Sequence, residues 1–402
     1  MPRILFAGLL LGTLAAQSGP TGNVATIDGR TLTGALTIDA EGRASVATGT
    51  GDPVTLGLDE VASFEVAGAA AKPTSAPHRV WLRSGLELPC MALAGVPAGE
   101  GKPARLAIEL PAGATVEVPI STVRALRHGG VERAEPPSFL ADFAEPPDNN
   151  DLLYIHKDGK SQRFTVTVNG MQQAAIEFDL RGKTHEFELA SMTAIVFGKN
   201  TGFAADRQAR PRTAIDLATG EHLEGRLLEL GANLRLRIDE GATVEIASAQ
   251  LVRLAVASDR LVWLSDLVPK VEQTPAFDRV WPWTKDRSVA GPGFVLGGKT
   301  WGRGLGMVPR TRLVYDLGGS YDVFEATIGI DDRGGPQAHA VFRILVDDKI
   351  AFESQGRTRG MPPEVVRVEL GRCQKLAVEV DFGKNYDLGD YCAFADARVL
   401  RR

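Results

Sequence analysis

The stretch TWGRGLGMVPRTRLVYDLGG, Thr300 to Gly319, decides what kind of domain closes the chain. Gly302, Gly304 and Gly306 crowd into it just before it turns apolar. A dinucleotide fingerprint places G-x-G-x-x-G between a strand and a helix. Here Met307 stands where the third glycine belongs, and RTRLVYDL alternates polar and apolar residues, the period of a half-buried strand. With no helix start behind the loop, no dipole faces a phosphate. The glycines are therefore expected to bend the chain between the segment holding Trp301 and a strand at 312–317. Positive φ or close backbone approach would exclude a Cβ there.

The same period continues around the loop. From about Asp259 the chain reads as strands, among them DVFEATIGIDD, HAVFRILVDDKIAFES, PPEVVRVEL, QKLAVEVDFG and CAFADARVL. No helical stripe interrupts them, so residues 259–402 are expected to form an all-β sandwich of about eight strands, a jelly roll. Four of the five tryptophans, Trp263, Trp281, Trp283 and Trp301, cluster at the start of this segment.

Upstream, one plan recurs four times, over residues 23–67, 78–128, 151–198 and 212–257. Each copy opens on a strand and turns at Gly29, Gly85, Gly159 or Gly220. Asp-Gly at Asp28 and Asp158 is a strong hairpin signal. The closing pieces align in columns. Val54, Leu56, Leu58, Val61 and Phe64 match Val116, Val118, Ile120, Val123 and Leu126. They match His185, Phe187, Leu189, Met192 and Ile195, then Val244, Ile246, Ser248, Leu251 and Leu254. Three columns alternate as a strand does, and the next two are spaced by three, a single helical turn leading into a last short strand. Each copy reads as a small, strongly bent sheet of about five strands, similar in pattern to an Sm-like or SH3-like barrel. Linkers fall at GAAAKPTSAPH, at residues 134–150 and near Pro211.

These copies carry little chemistry. His156, His185 and His222 occupy unrelated columns, so no shared metal site is indicated. Arg30, Lys157, Lys160 and Arg226 read as solvated faces. The net charge of -5 and the lack of a basic groove with aromatic platforms exclude nucleic acid as the expected partner. Contacts with envelope proteins suit the repeats better.

The chain of 402 residues has 44% hydrophobic and 24% charged residues, ordinary values for several globular domains. Residues 1–17 have the layout of a secretory signal peptide: Arg3, an apolar run from Ile4 to Leu14, then Ala15 and Ala16. No later run of eighteen apolar residues occurs, so no membrane span is expected in the mature chain, whose location is secreted or periplasmic. Of Cys90, Cys373 and Cys392, the last two share a domain and are the pair open to a disulfide; two buried thiols is the alternative.

Several motifs in order, VWLSDLVP, WGRGLGM, RLVYDLGGSYDVFEATIGIDD, VFRILVDD, and LAVEVDFG followed by ADARVL, resemble the "novel putative carbohydrate-binding module" family over roughly Arg260 to Leu400. The resemblance implies a galactose-binding-like jelly roll of secreted or periplasmic proteins, sometimes appended to glycosidases. Two positions depart from it: Val308 replaces a histidine after the GLG turn, and Phe394 replaces a tryptophan before Ala395, Asp396 and Ala397.

Sugar recognition sets an aromatic face against the C–H side of the ring and planar polar groups against its hydroxyls. Loop candidates are Trp281, Trp283, Trp301, Arg303, Asp332, Arg333, Tyr386, Asp387 and Tyr391. The resemblance also implies a structural calcium, for which Asp331, Asp332, Asp387 and Asp390 are candidates, unless these strand-end aspartates cap turns. No paired-carboxylate motif, G-x-S-x-G or H-E-x-x-H is present, so no catalytic residue or cofactor is assigned. The expectation is a non-catalytic, exported glycan-binding protein. The alternatives are a structural envelope protein that binds no sugar, and a glycoside hydrolase accessory or hydrolase of unrecognised site.

Overall fold

The computed structural model describes residues 19–49, 51–129, 136, 138–157, 160–199, 202–204, 210–274, 281–384 and 386–401. The signal-peptide layout at 1–17 and the Asp158–Gly159 turn lie outside them. The chain is built almost wholly from β-strands, with one α-helix, Phe139–Ala144, among the described residues.

The repeat plan has a physical signature. Each closing piece is a strand, a three-residue 3₁₀ turn and a last strand. The turns are Leu58–Glu60, Ile120–Thr122, Leu189–Ser191 and Ser248–Gln250, each starting at the third column. The strand after each turn pairs with the first strand of its own repeat, and each pairing slips by one residue just past the turn. The slips fall at Ala25/Thr26, Val123/Ala125, Tyr154/Ile155 and Asp216/Leu217. Such bulges bend a sheet and raise its twist, which is how so few strands curl around a core. Gly29, Gly85 and Gly220 take φ of 88°, 95° and 97° at the opening turns, where a Cβ would be strained.

The repeats do not stand apart. The last strands of the first and fourth pair antiparallel, with Phe64 opposite Leu254, and join into one ten-stranded sheet. The second and third join in the same way through Leu126 opposite Ile195, giving an eight-stranded sheet, while Ala92–Val96, Arg105–Glu109 and Thr115–Pro119 form a separate three-stranded sheet. Both seams fall on the fifth sequence column. One continuous core of side chains, from Val24 to Val256, runs through all four repeats. The segment read as a linker at 134–150 holds the helix, whose Phe139 and Phe143 pack on Trp81.

Residues from Leu261 onward form a sandwich of two six-stranded sheets. One contains Gly304–Met307, Cys392–Leu400, Val323–Ile330 and Glu364–Glu369. The other contains Thr311–Asp316, Lys375–Phe382 and His339–Val346. Its core includes Leu313, Tyr315, Phe324, Ile328, Phe342, Ile344, Val378 and Phe394. The glycine loop is more than a bend: Gly304–Met307 is itself a strand, paired with Cys392–Ala395. Each glycine permits a different close approach. A Cβ on Gly304, which has φ of 142°, would lie 2.4 Å from the Phe394 carbonyl oxygen, and one on Gly306 would lie 2.4 Å from that of Arg287.

Candidate functional site

The strand register gives the sandwich two ends. Ile330 faces Cys392 at one, Val323 faces Leu400 at the other. Most of the sugar candidates gather at the first, the loop end. There the Asp331–Gly335 turn meets the Tyr386–Tyr391 loop, through hydrogen bonds from the Gly335 amide to the Gly389 carbonyl (2.9 Å) and from the Asp331 amide to the Tyr391 carbonyl (2.8 Å). Gly335 and Gly389 touch so closely that a Cβ on Gly389 would sit 2.7 Å from the Gly335 Cα. This holds Tyr386 outward: its side chain is 62% exposed, its φ is 60°, and its ring meets Phe382 edge-on at 5.7 Å. Arg310 lies over the other part of this column, 5.7 Å from the Phe382 ring centre. Leu388 and Met361 are exposed, Arg333 and Arg359 are exposed, and Asp332, Asp387 and Tyr391 are half-buried.

Trp281 and Trp283 flank this end from the sheet edge and are half-buried. The Gln273 side-chain amide donates to the Trp281 carbonyl at 2.6 Å, and Trp283 packs against the sandwich core. The two positions that depart from the family pattern are interior. Phe394 is buried and packs edge-on to Phe342 at 5.3 Å, and Val308 is buried.

Of the four aspartates read as calcium candidates, Asp331 and Asp332 hold turns. Asp331 accepts from the Val295 amide (3.0 Å) and from Arg333 Nε and Nη2 (2.7 Å each); burial opposes its charge, but these bonds hold its carboxyl below the usual range. Asp332 accepts from the Gly297 and Gly298 amides at 3.3 and 2.8 Å. Asp390 accepts from the His339 amide at 2.8 Å with one oxygen, while its other oxygen is buried without a partner. Burial, with the nearby Asp387 charge adding and the His339 bond opposing, pushes Asp390 up to about 7. No group of three or more acidic, His or Cys side chains suited to a metal ion occurs among the described residues. A hard cation needs six or more oxygens, and Asp331 and Asp332 already direct theirs to Arg333 and to the Val295, Gly297 and Gly298 amides.

The disulfide expectation is likewise corrected: Cys373 and Cys392 are both free, buried thiols, as is Cys90. Cys392 begins its strand at the loop end. Cys373 donates its amide to Leu370, which in turn bonds Asp322, just outside the opposite end. The eight-residue strand Val323–Ile330 separates them, about 23 Å at strand rise, far beyond bridging distance.

Trp301 and Arg303 are the other correction: the structure takes them out of the solvent. They lie between the sandwich and the fourth repeat, with exposures of 8% and 2%. Trp301 packs with Phe294, Leu296, Ala393 and Ala395, under Lys299 Nζ at 4.3 Å. Arg303 reaches across to Glu224 (2.5 Å) and back to Asp266 (3.2 Å). Around it His222 bridges Asp216 Oδ1 (2.6 Å) and Glu224 Oε1 (3.3 Å), and Arg212 holds Asp239 at 2.7 Å. Burial disfavours the His222 charge, but Asp216 and then Glu224 outweigh it and raise its pKa to about 10. Neither residue offers a face to a sugar in this arrangement.

Sequence reading missed this lattice and the Arg310–Phe382 column. A signal for the first existed. In IDLATGEHLEG, Ile215, Leu217 and Leu223 point inward, so Asp216, His222 and Glu224 share the outward face of one hairpin. Nothing in that pattern told the outward face of a covered sheet from a solvated one.

Residues 260–400 match the family model described as NPCBM/NEW2 domain. A protein of Renibacterium salmoninarum described as "Putative endo-alpha-N-acetylgalactosaminidase" is 28% identical over 110 residues, 27% of this chain and 7% of that protein. The chain thus spans a small fraction of that relative's length. Among solved structures, the CBM51 of Clostridium perfringens GH95 in complex with methyl-galactose is 26% identical, with a TM-score of 0.32, over 35% of this chain and 99% of that one. The CBM51-2 and INT domains of Clostridium perfringens ZmpB are 20% identical, with a TM-score of 0.33, over 44% and 38%. The family match supports a carbohydrate-binding module over residues 260–400.

Proposed function

We propose that this is an exported, non-catalytic glycan-binding protein whose sandwich takes sugar at its loop end. The family match supplies the class of ligand. The observation that carries the placement is Tyr386, an exposed aromatic ring on a left-handed backbone at the start of the loop that interlocks with the Asp331–Gly335 turn. Polar neighbours at the same end, Asp332, Arg333, Asp387 and Arg359, suit the equatorial and axial hydroxyls of a pyranose. Trp281 offers a second ring from the sheet edge. The sequence layout at 1–17 supports export. A glycan array probed with the full chain tests the reading: retention of defined glycans that Tyr386→Ala abolishes supports it, and a folded chain that retains none refutes it.

A second reading, a structural envelope protein, is favoured by one observation. Two of the candidate sugar residues, Trp301 and Arg303, are spent on a contact within the chain. On that reading the array is blank.

A further inference from the structure

The passage from the fourth repeat into the sandwich has no slack. The last repeat strand, Leu251–Ala257, turns directly into the first sandwich strand, Leu261–Trp263. Ser258 and Leu261 exchange backbone hydrogen bonds at 2.9 and 3.2 Å. The Ser258 hydroxyl also donates to the Asp59 carbonyl of the first repeat. An apolar seal follows: Ile27, in the turn after Thr21–Thr26, and Ala62, Ala214 and Ala255 from the ten-stranded sheet close on Leu261, Trp263, Val323 and Leu400. Trp263 is buried in this cluster, with Arg303 and Arg398 over its ring at 5.7 and 5.4 Å.

The ion pairs beside this seal cross from one part to the other. Arg303 of the sandwich binds Glu224 of the fourth repeat, Arg253 of the fourth repeat binds Asp396 of the sandwich, and Lys299 binds Glu65 at 2.7 Å. Asp396 is aimed there by a bulge. The pairing of Val323–Ile330 with Cys392–Leu400 slips at Glu325/Thr327, opposite Asp396, whose φ is 52°. Its amide bonds the Arg303 carbonyl at 3.0 Å. At the centre, Gly302 presses on the repeat hairpin. A Cβ there would meet Asp216 Oδ1 at 2.6 Å and His222 Nδ1 at 3.1 Å. Neither atom is free to yield, because they bond each other and Asp216 Oδ2 faces Arg253 at 3.9 Å.

We infer that the glycine loop Trp301–Gly306 is an intramolecular docking element that fastens the sandwich to the fourth repeat, so that the sandwich and the ten-stranded sheet move as one rigid body. The loop end is then the sandwich's outward face, presented at a fixed angle to the repeats rather than on a tether. Buried charges of this kind cost desolvation when they form and cost more when one partner is removed. The lattice therefore specifies one docked geometry.

Native-state hydrogen exchange on the full chain tests this. In the wild type, peptides covering 301–306 and 216–224 should exchange as slowly as the sandwich strand 392–400, within a factor of three. Gly302→Val should speed both peptides at least tenfold while 323–330 keeps its protection. Exchange at 301–306 tenfold faster than at 392–400 in the wild type overturns the inference, as does a Gly302→Val protein with unchanged rates. Should that variant not fold, small-angle scattering of the wild type decides: a curve fitted by one rigid arrangement supports docking, and one that needs a swivelling ensemble refutes it.

Discussion

Phe64→Ala should destabilise the first and fourth repeats together. Phe64 is fully buried and lies on the seam where Val61–Val66 pairs with Leu251–Ala257, directly opposite Leu254. Removing a buried phenyl ring costs about 3–5 kcal/mol in lost transfer energy plus the cavity left behind. A domain is stable by about 5–15 kcal/mol, so the change consumes roughly a fifth or more of the total. Leu254→Ala removes the facing side chain at about 2–5 kcal/mol. The two residues line the same space, so the double variant should lose less than the sum of the singles, by roughly 0.5–3 kcal/mol. Urea unfolding of the four proteins gives the cycle, and hydrogen exchange locates the loss. Strand Arg212–Leu217, in the fourth repeat, should lose protection along with Thr21–Thr26, in the first. If Phe64→Ala frees only the first repeat and the cycle is additive, the seam is a weak contact between independent barrels and the reasoning fails.

Three further outcomes follow from the sandwich. Asp390 is fully buried and its carboxyl is raised to about 7 from an unfolded value near 3.8, so the native state holds a proton the unfolded chain releases. Stability should therefore fall as pH rises from about 4 through 7. Asp390→Asn should flatten that slope and stabilise the protein at pH 8, and an unchanged slope would show that Asp390 does not titrate there. Unfolded without reductant, the chain should react with a thiol reagent at all three cysteines, and native protein at none, since all three are buried; one reactive thiol after unfolding would mean that a disulfide forms after all. Under Gly302→Val, the docking loop and the hairpin Asp216–Glu224 should open together, as set out above.

How much of this was legible in the sequence depended on whether the deciding interaction was local. The third-column residues Leu58, Ile120, Leu189 and Ser248 gave away the helical turns, because a change from period two to a spacing of three is written into neighbouring residues. The pairing of the first repeat with the fourth, and the second with the third, was not legible: alternation says which face of a strand is buried, not which strand lies beside it. The same limit governed the site. Trp301 and Tyr386 both sit in glycine-rich loops, yet one is sealed under Lys299 against the repeats and the other stands in solvent. Trp301 packs on the distant Ala393 and Ala395 and faces Arg253 of the fourth repeat, partners that no local pattern announces. Asp331 and Asp332 read equally well as cation ligands and as turn caps until Arg333 and the Gly297–Gly298 amides took their oxygens.

The most direct measurement is calorimetric titration of the full chain with a glycan retained on the array, beside Tyr386→Ala. The Tyr386 ring is 62% exposed and meets Phe382 edge-on, an aromatic contact worth about 0.5–1.5 kcal/mol, so the variant should stay folded. As the exposed aromatic anchor of a binding site it should be worth about 2 kcal/mol or more, a loss of roughly thirtyfold in affinity. Binding by the wild type and at least that loss in the folded variant is the predicted result. Equal binding by the two proteins would contradict the placement of sugar at the loop end.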